Sequence, residues 1–221
     1  MRRFALVLIF LAAGLWSSVT AGAARIKSGT GFFVTRDGIL LTSEHVVAGC
    51  PEISIWEAKG AQHAAHVIGT DPRLDLALLR AEGTRPHRAA VIGQAAPLDG
   101  GEVFTLGFGV VATDPLDPIP VKGALVGYGT AESGNRVVLI RASLHAGHSG
   151  AALLSEAGSL IGMIIGRDES HGDIGIAVPQ NDLLPFLATY GVGLRNPEPN
   201  SRPRELLSEI SVLVQCPATG Q

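Results

Sequence analysis

Positive charge is in short supply in this sequence. Its 221 residues carry 17 Lys and Arg against 20 Asp and Glu, a formal charge of −3. Such a balance offers no basic field to a phosphate backbone, so nucleic acid is not expected as a partner. Aromatic residues are scarce at 5%, and beyond residue 23 no apolar run approaches the roughly 20 residues of a membrane-spanning helix. No strand pattern alternates with a long helical one, which argues against a parallel α/β sheet. HExxH and cysteine-rich ligand spacings are missing too. His145, His148 and His171 could in principle hold zinc, but no metal or other cofactor is expected.

The N-terminus departs from these shortages. Arg2 and Arg3 precede an unbroken apolar run from Phe4 to Trp16, followed by small residues up to Ala23. That order predicts a signal peptide over residues 1–23, cut after Ala23, with an uncleaved anchor as the alternative. The mature chain is then exported, to periplasm or external medium, without stable membrane insertion. Two cysteines, Cys50 and Cys216, make an even count in an oxidising compartment. They permit a disulfide, and two unpaired thiols remain the other reading.

Glycine is plentiful, at 28 residues, and punctuates many short apolar runs. GTGFFVT, GILLTSEHVV, EISIWEA, AAHVIGT and LDLALLR precede Gly83, with Asp37-Gly38 marking a hairpin. GEVFTLGFG, VKGALVGYG, RVVLIRA, AALLS, SLIGMIIG and IGIAVP form a second set after Gly100. A connector over Glu82–Gly101 separates the sets, and a faint echo between TGFFVTRDGILLTSEHV and SGAALLSEAGSLIGMII fits two similar antiparallel barrels. The first spans about residues 26–92 and the second about 101–180. Asn181–Tyr190 is the best helix candidate, with Asn181 as N-cap. Residues 191–221 read as a tail too short for a further module, with a linker over Asn196–Arg204 and a short helix over Glu205–Val214.

Three segments carry chemistry: LLTSEHVVAGC around His45, DPRLDLALLR around Asp75 and AGHSGAALL around Ser149. A serine hydroxyl is a weak nucleophile until a neutral imidazole takes its proton, and a carboxylate on the other ring nitrogen fixes the tautomer and stabilises the imidazolium. His45 is therefore the candidate base, Asp75 its orienter and Ser149 the nucleophile. The order His, Asp, Ser is that of chymotrypsin-type triads. Gly147 and Ser149 are spaced to offer two backbone N–H groups to an oxyanion, with no side chain on Gly147 to block the approach.

SGTGFFVTRDGILLTSEHVV, DLALLR and the Gly-x-Ser-Gly of GHSGAALL resemble trypsin-like serine peptidases of the HtrA/Deg type, over about Ile26–Tyr190. The resemblance implies an all-β fold of two antiparallel six-stranded barrels with a C-terminal helix, a site in the cleft between them, polypeptide substrates and regulation by loops around the nucleophile. This chain departs from the family pattern in having His148 where asparagine or aspartate usually precedes the serine, and Ala151-Ala152 where Gly-Pro usually follows Ser-Gly. No PDZ domain is expected after Tyr190, and an oligomer, though allowed, is not indicated.

By the same similarity the first specificity pocket has Ser143 at its base, with walls from Ile164, Ile165 and Gly166 and from Gly175, Ile176 and Ala177. A neutral base and small walls predict an apolar residue before the cleaved bond. The expected function is a secreted or periplasmic serine endopeptidase working through an acyl-enzyme. A latent protease-fold binding protein and an esterase using the same triad are the alternatives, since acyl transfer does not itself distinguish amide from ester.

Overall fold

Side-chain alternation along short strands sends neighbouring residues to two different cores. In β5 (Leu76–Ala81), Leu76 and Leu78 face one apolar cluster while Ala77 and Leu79 face another. The same division separates Phe32 from Phe33 in β1 (Ile26–Phe33) and Leu41 from Leu40 in β2 (Ile39–Ser43). Both faces are covered at these positions, which is why successive residues there are apolar. Each such leucine contributes about 1.5–3 kcal/mol by leaving water.

The computed structural model describes residues 26–92, 99–109, 116–168, 170–195 and 202–217. The expected signal peptide lies outside them, as does most of the expected linker. After β2 comes a single helical turn, α1 (Glu44–Val47), then β3 (Ile53–Glu57), β4 (Gln62–Asp71) and β5. The second set is β6 (Glu102–Phe108), β7 (Pro118–Thr130), β8 (Arg136–Arg141), β9 (Ala152–Ser155), β10 (Leu160–Arg167) and β11 (Ile174–Pro179). The chain continues through α2 (Gln180–Thr189), α3 (Pro203–Ile210) and β12 (Ser211–Pro217).

These strands close into two six-stranded antiparallel barrels, ordered β1-β12-β3-β4-β5-β2 and β10-β11-β8-β7-β6-β9. One cluster, including Phe33, Leu40, Ile55, Leu79 and Val214, fills the first barrel. Another, including Leu125, Ile140, Leu153 and Ile164, fills the second. The third, with Phe32, Leu41, Leu78, Leu106, Leu154 and Met163, lies between barrels and takes in Leu183 and Leu187 of α2 and Leu206, Leu207 and Ile210 of α3.

The expectation of a C-terminal tail outside the barrels is corrected by β12. This strand inserts between β1 and β3, pairing Val214 with Gly29 on one side and with Ile55 on the other. The helix expected over Glu205–Val214 ends at Ile210, because Ser211–Val214 alternates into the two edges that β1 and β3 would otherwise leave unpaired. Likewise GILLTSEHVV is not one strand. It stops at Ser43, and α1 carries the histidine.

Cys50 and Cys216 are joined, with Cα atoms 5.7 Å apart, linking the loop after α1 to β12 across 166 residues of sequence. A cross-link closing so long a loop removes much of the unfolded chain's freedom. Replacing both cysteines with serine is expected to lower unfolding stability by about 3–5 kcal/mol, read as a lower denaturant midpoint. An unchanged midpoint would show that β12 stays seated without the bond.

Candidate active site

The first barrel holds a histidine and an aspartate by their backbones as well as their side chains. Ser43 precedes α1 without capping it through its side chain, so the first N–H groups of the turn need other acceptors. Asp75 supplies them: its carbonyl accepts from Glu44 N–H at 3.1 Å and its Oδ1 from His45 N–H at 2.9 Å. Its Oδ2 lies 2.8 Å from His45 Nδ1. To present carbonyl and carboxylate together, Asp75 takes φ +56°, the one left-handed non-glycine residue among those described. Aspartate tolerates that conformation better than most residues.

This arrangement fixes the imidazole with Nδ1 toward the carboxylate. The Asp75 hydrogen bond raises the His45 pKa above the ordinary imidazole value, outweighing partial burial, which lowers it. The neighbouring Arg73 pairs with Asp71 at 3.5 Å.

Ser149 comes from the second barrel, in the turn between β8 and β9. Gly147 and Gly150 flank His148-Ser149 with φ values of +101° and +86°. A side chain on Gly147 would lie 1.8 Å from the Phe108 carbonyl oxygen, and one on Gly150 would lie 2.1 Å from that of Thr30. Only glycine fits either position. The Gly150 site also lies 2.8 Å from Ser43 N, so the serine turn sits against the residue two places before His45. The bond between the Ser149 hydroxyl and the imidazole is not closed among the described residues. Such bonds are often long without substrate and tighten in the complex. Neither Gly147 N–H nor Ser149 N–H gives its proton to a backbone carbonyl among the described residues.

Sequence reasoning missed Thr30. This fully buried β1 residue accepts from Phe108 N–H at 3.0 Å and donates its hydroxyl to the Gly147 carbonyl at 2.6 Å. Its own N–H donates to the Ser149 carbonyl at 2.8 Å, and its carbonyl accepts from Thr42 Oγ1 at 2.7 Å. The signal for it was a threonine between two strand glycines. A side chain on Gly29 would lie 2.7 Å from Val46 Cγ2 and 3.0 Å from the Ser149 carbonyl.

A cavity of about 180 Å³ adjoins Ser149, lined by Leu144, His145, Ala146, His148, Ile164, Gly166 and Arg167. Of the pocket residues expected from sequence, Ile164 and Gly166 are present. Ser143 is exposed and is not among the lining residues, while Leu144 turns inward and is 4% exposed. Leu144 Cδ1 sits 2.6 Å from where a side chain on Gly175 would begin, so leucine fills that space. Ile165, Gly175 and Ile176 do not line the cavity. His171 pairs with Asp168 at 3.2 Å, away from the His145–His148 ring pair. No metal-holding group of three or more His, Cys, Asp or Glu occurs among the described residues.

Residues 29–163 match the family model described as a trypsin-like peptidase domain. The chain belongs to that family. It is 31% identical over 183 residues to the serine protease HTRA4 of Homo sapiens, covering 80% of this chain and 38% of that protein. It is 30% identical over 156 residues to a probable periplasmic serine endoprotease, DegP-like, of Bartonella henselae, covering 69% and 30%. The chain thus spans about a third of the length of these curated relatives. Among solved structures, the HtrA-type protease AlgW with a decapeptide aligns with a TM-score of 0.65 at 25% identity, covering 73% of this chain and 50% of that one. The Rv3671c protease from M. tuberculosis, active form, aligns at 0.64 and 23% identity, covering 79% and 78%.

Two measurements check this geometry without relying on turnover. In an NMR titration His45 is expected to titrate above the ordinary value of about 6.5, and Asp75→Asn to bring it down, since burial then acts without the carboxylate. A His45 that titrates alike in both proteins would separate the pair. Thr30→Val leaves Phe108 N–H and the Gly147 carbonyl without the hydroxyl, and is expected to lower stability by about 1–3 kcal/mol in urea unfolding.

Proposed function

We propose that this chain is an exported serine endopeptidase that cleaves peptide bonds through an acyl-enzyme. His45 takes the Ser149 proton as the hydroxyl attacks the scissile carbonyl, then returns it to the leaving amine. Asp75 holds the ring's tautomer and stabilises its charged form. The N–H groups of Gly147 and Ser149 receive the oxyanion in a turn where no side chain intervenes. The double hold of Asp75 on α1, backbone and ring together, carries this reading, because a core histidine would need no such orientation.

The cavity beside Ser149 favours a small apolar residue before the cleaved bond. Leu144 lines it with Ala146, Ile164 and Gly166, which leave room for a compact aliphatic side chain. Export is supported by the charged and apolar order of residues 1–23, by a disulfide that suits an oxidising compartment and by the periplasmic relative of Bartonella henselae. That relatives are named serine proteases favours peptide over ester substrates.

A fluorophosphonate probe is expected to label the protein at Ser149 and to leave Ser149→Ala unlabelled. His45→Ala and Ser149→Ala should each lose on the order of 10⁴–10⁶ in turnover while unfolding at the wild-type temperature. A peptide library should be cut after Val, Ala or Ile. Labelling without peptide cleavage would favour the esterase, no labelling the latent binding protein, and cleavage mainly after Lys or Arg would overturn the pocket assignment.

A further inference from the structure

The residue immediately before Ser149 is a histidine that the reaction above leaves unused, and it is only 1% exposed. Its Nδ1 lies 3.1 Å from the His145 carbonyl and 3.3 Å from the His145 N–H. The backbone closes the same turn, His148 N–H donating to the His145 carbonyl at 3.2 Å. The ring therefore braces from within a turn whose apex is Ala146-Gly147. Beneath it, β6 is bare: a side chain on Gly107 would lie 2.6 Å from His148 Cγ and 2.8 Å from Nδ1. Nε2 is buried without a hydrogen bond.

We infer that His148 is a positioning residue which, as a neutral imidazole, holds the 145–149 turn so that the Gly147 and Ser149 N–H groups face the reacting carbonyl. The inference rests on the peptidase reading and adds a requirement to it. A neutral ring closes one bond with the His145 peptide, accepting its N–H or donating to its carbonyl. A charged ring keeps only the donation to the His145 carbonyl, and it carries a second N–H into a buried place where no hydrogen bond is closed and the Ile119 carbonyl gives the only help, so desolvation is costly.

The surroundings give that charge little help. On its own turn the facing titratable group is His145, whose charge repels it. β6 brings Gly107, and its Glu102 pairs with Lys122 of β7 at 2.6 Å. β7 brings Ile119, with Asp117 just before it exposed. Across the cavity β10 brings the cation Arg167. Burial lowers the His148 pKa more than the carbonyls of His145 and Ile119 raise it. Its neutral form therefore prevails above the ordinary imidazole value, and as pH falls through the lowered one desolvation drives the charged ring from its buried seat and the brace goes with it.

His45 and His148 then limit activity on the same side of the pH scale at different points. His45, raised by Asp75, becomes charged first as pH falls, and His148 follows. The wild-type acid limb of log kcat/KM is expected to steepen from a slope of one to a slope of two at low pH. His148→Asn, whose amide can reach the His145 peptide but does not titrate, should keep kcat within about fivefold and show a slope of one throughout. His148→Leu, of similar bulk but without the polar nitrogen, should lose kcat on the order of 10², the scale of one lost oxyanion donor, with KM changed less than about threefold. Gly107→Ala, which pushes the ring from its seat, should resemble His148→Leu.

If fluorophosphonate labels the wild type and His148→Leu keeps kcat within about threefold, or the acid limb has the same slope in wild type and His148→Asn, this inference is overturned while the peptidase reading stands. A wild type that takes no probe and cuts no peptide overturns both.

Discussion

Thr30 is where the two barrels are tied together at the proposed reaction centre. It uses every polar group it has across the boundary or beside it: hydroxyl to Gly147 and from Phe108, N–H to Ser149, carbonyl from Thr42. The apolar cluster between the barrels brings them into contact but is not directional. Hydrogen bonds from one buried residue fix the register at which they meet. Without that register, a well-formed histidine–aspartate pair on one barrel would face no defined serine on the other.

The first barrel is closed by residues that come last in the described chain. β12 is its sixth strand, and α3 before it places Leu206, Leu207 and Ile210 between the barrels. The disulfide then ties β12 to the loop that leaves α1. The scaffold of His45 and Asp75 therefore depends on a segment more than 130 residues further along the chain. Such long-range pairing is slow to find during folding, and the covalent tie retains it once found.

Local information in the sequence was enough for the strands and for the pairing of His45 with Asp75. The runs around Phe32, Leu78, Leu106 and Met163 are apolar enough, and the intervening turns glycine-rich enough, to place two sets of strands. His45 and Asp75 could be paired by the logic of their chemistry. β12 could not be assigned this way: Ser211–Val214 has the composition of a strand, but it follows a helical pattern, and its partners are fixed by three-dimensional closure. The direction of the Ser143 side chain was out of reach for a related reason. Counting back from the nucleophile gives a position but not the direction of a side chain in an irregular segment, and here Leu144 is the residue turned inward. Thr30 was quoted within a motif and passed over because its role lies in what it touches on the other barrel.

His45 and His148 show how surroundings assign opposite duties to one side chain. His45 stands half exposed beside a carboxylate, and the hydrogen bond to Asp75 raises its proton affinity. His148 lies buried against a bare strand with no acid among the described residues facing it, and desolvation lowers its affinity. In the proposed reaction the first accepts and releases a proton in each turnover, so access to solvent and a counter-charge suit it. The second must not change charge at all while the site works, so the same burial that would disable a base suits a brace. Asparagine at position 148 would meet the bracing requirement at every pH. A histidine meets it only while neutral, and thereby makes the geometry of the oxyanion turn depend on the acidity around the protein.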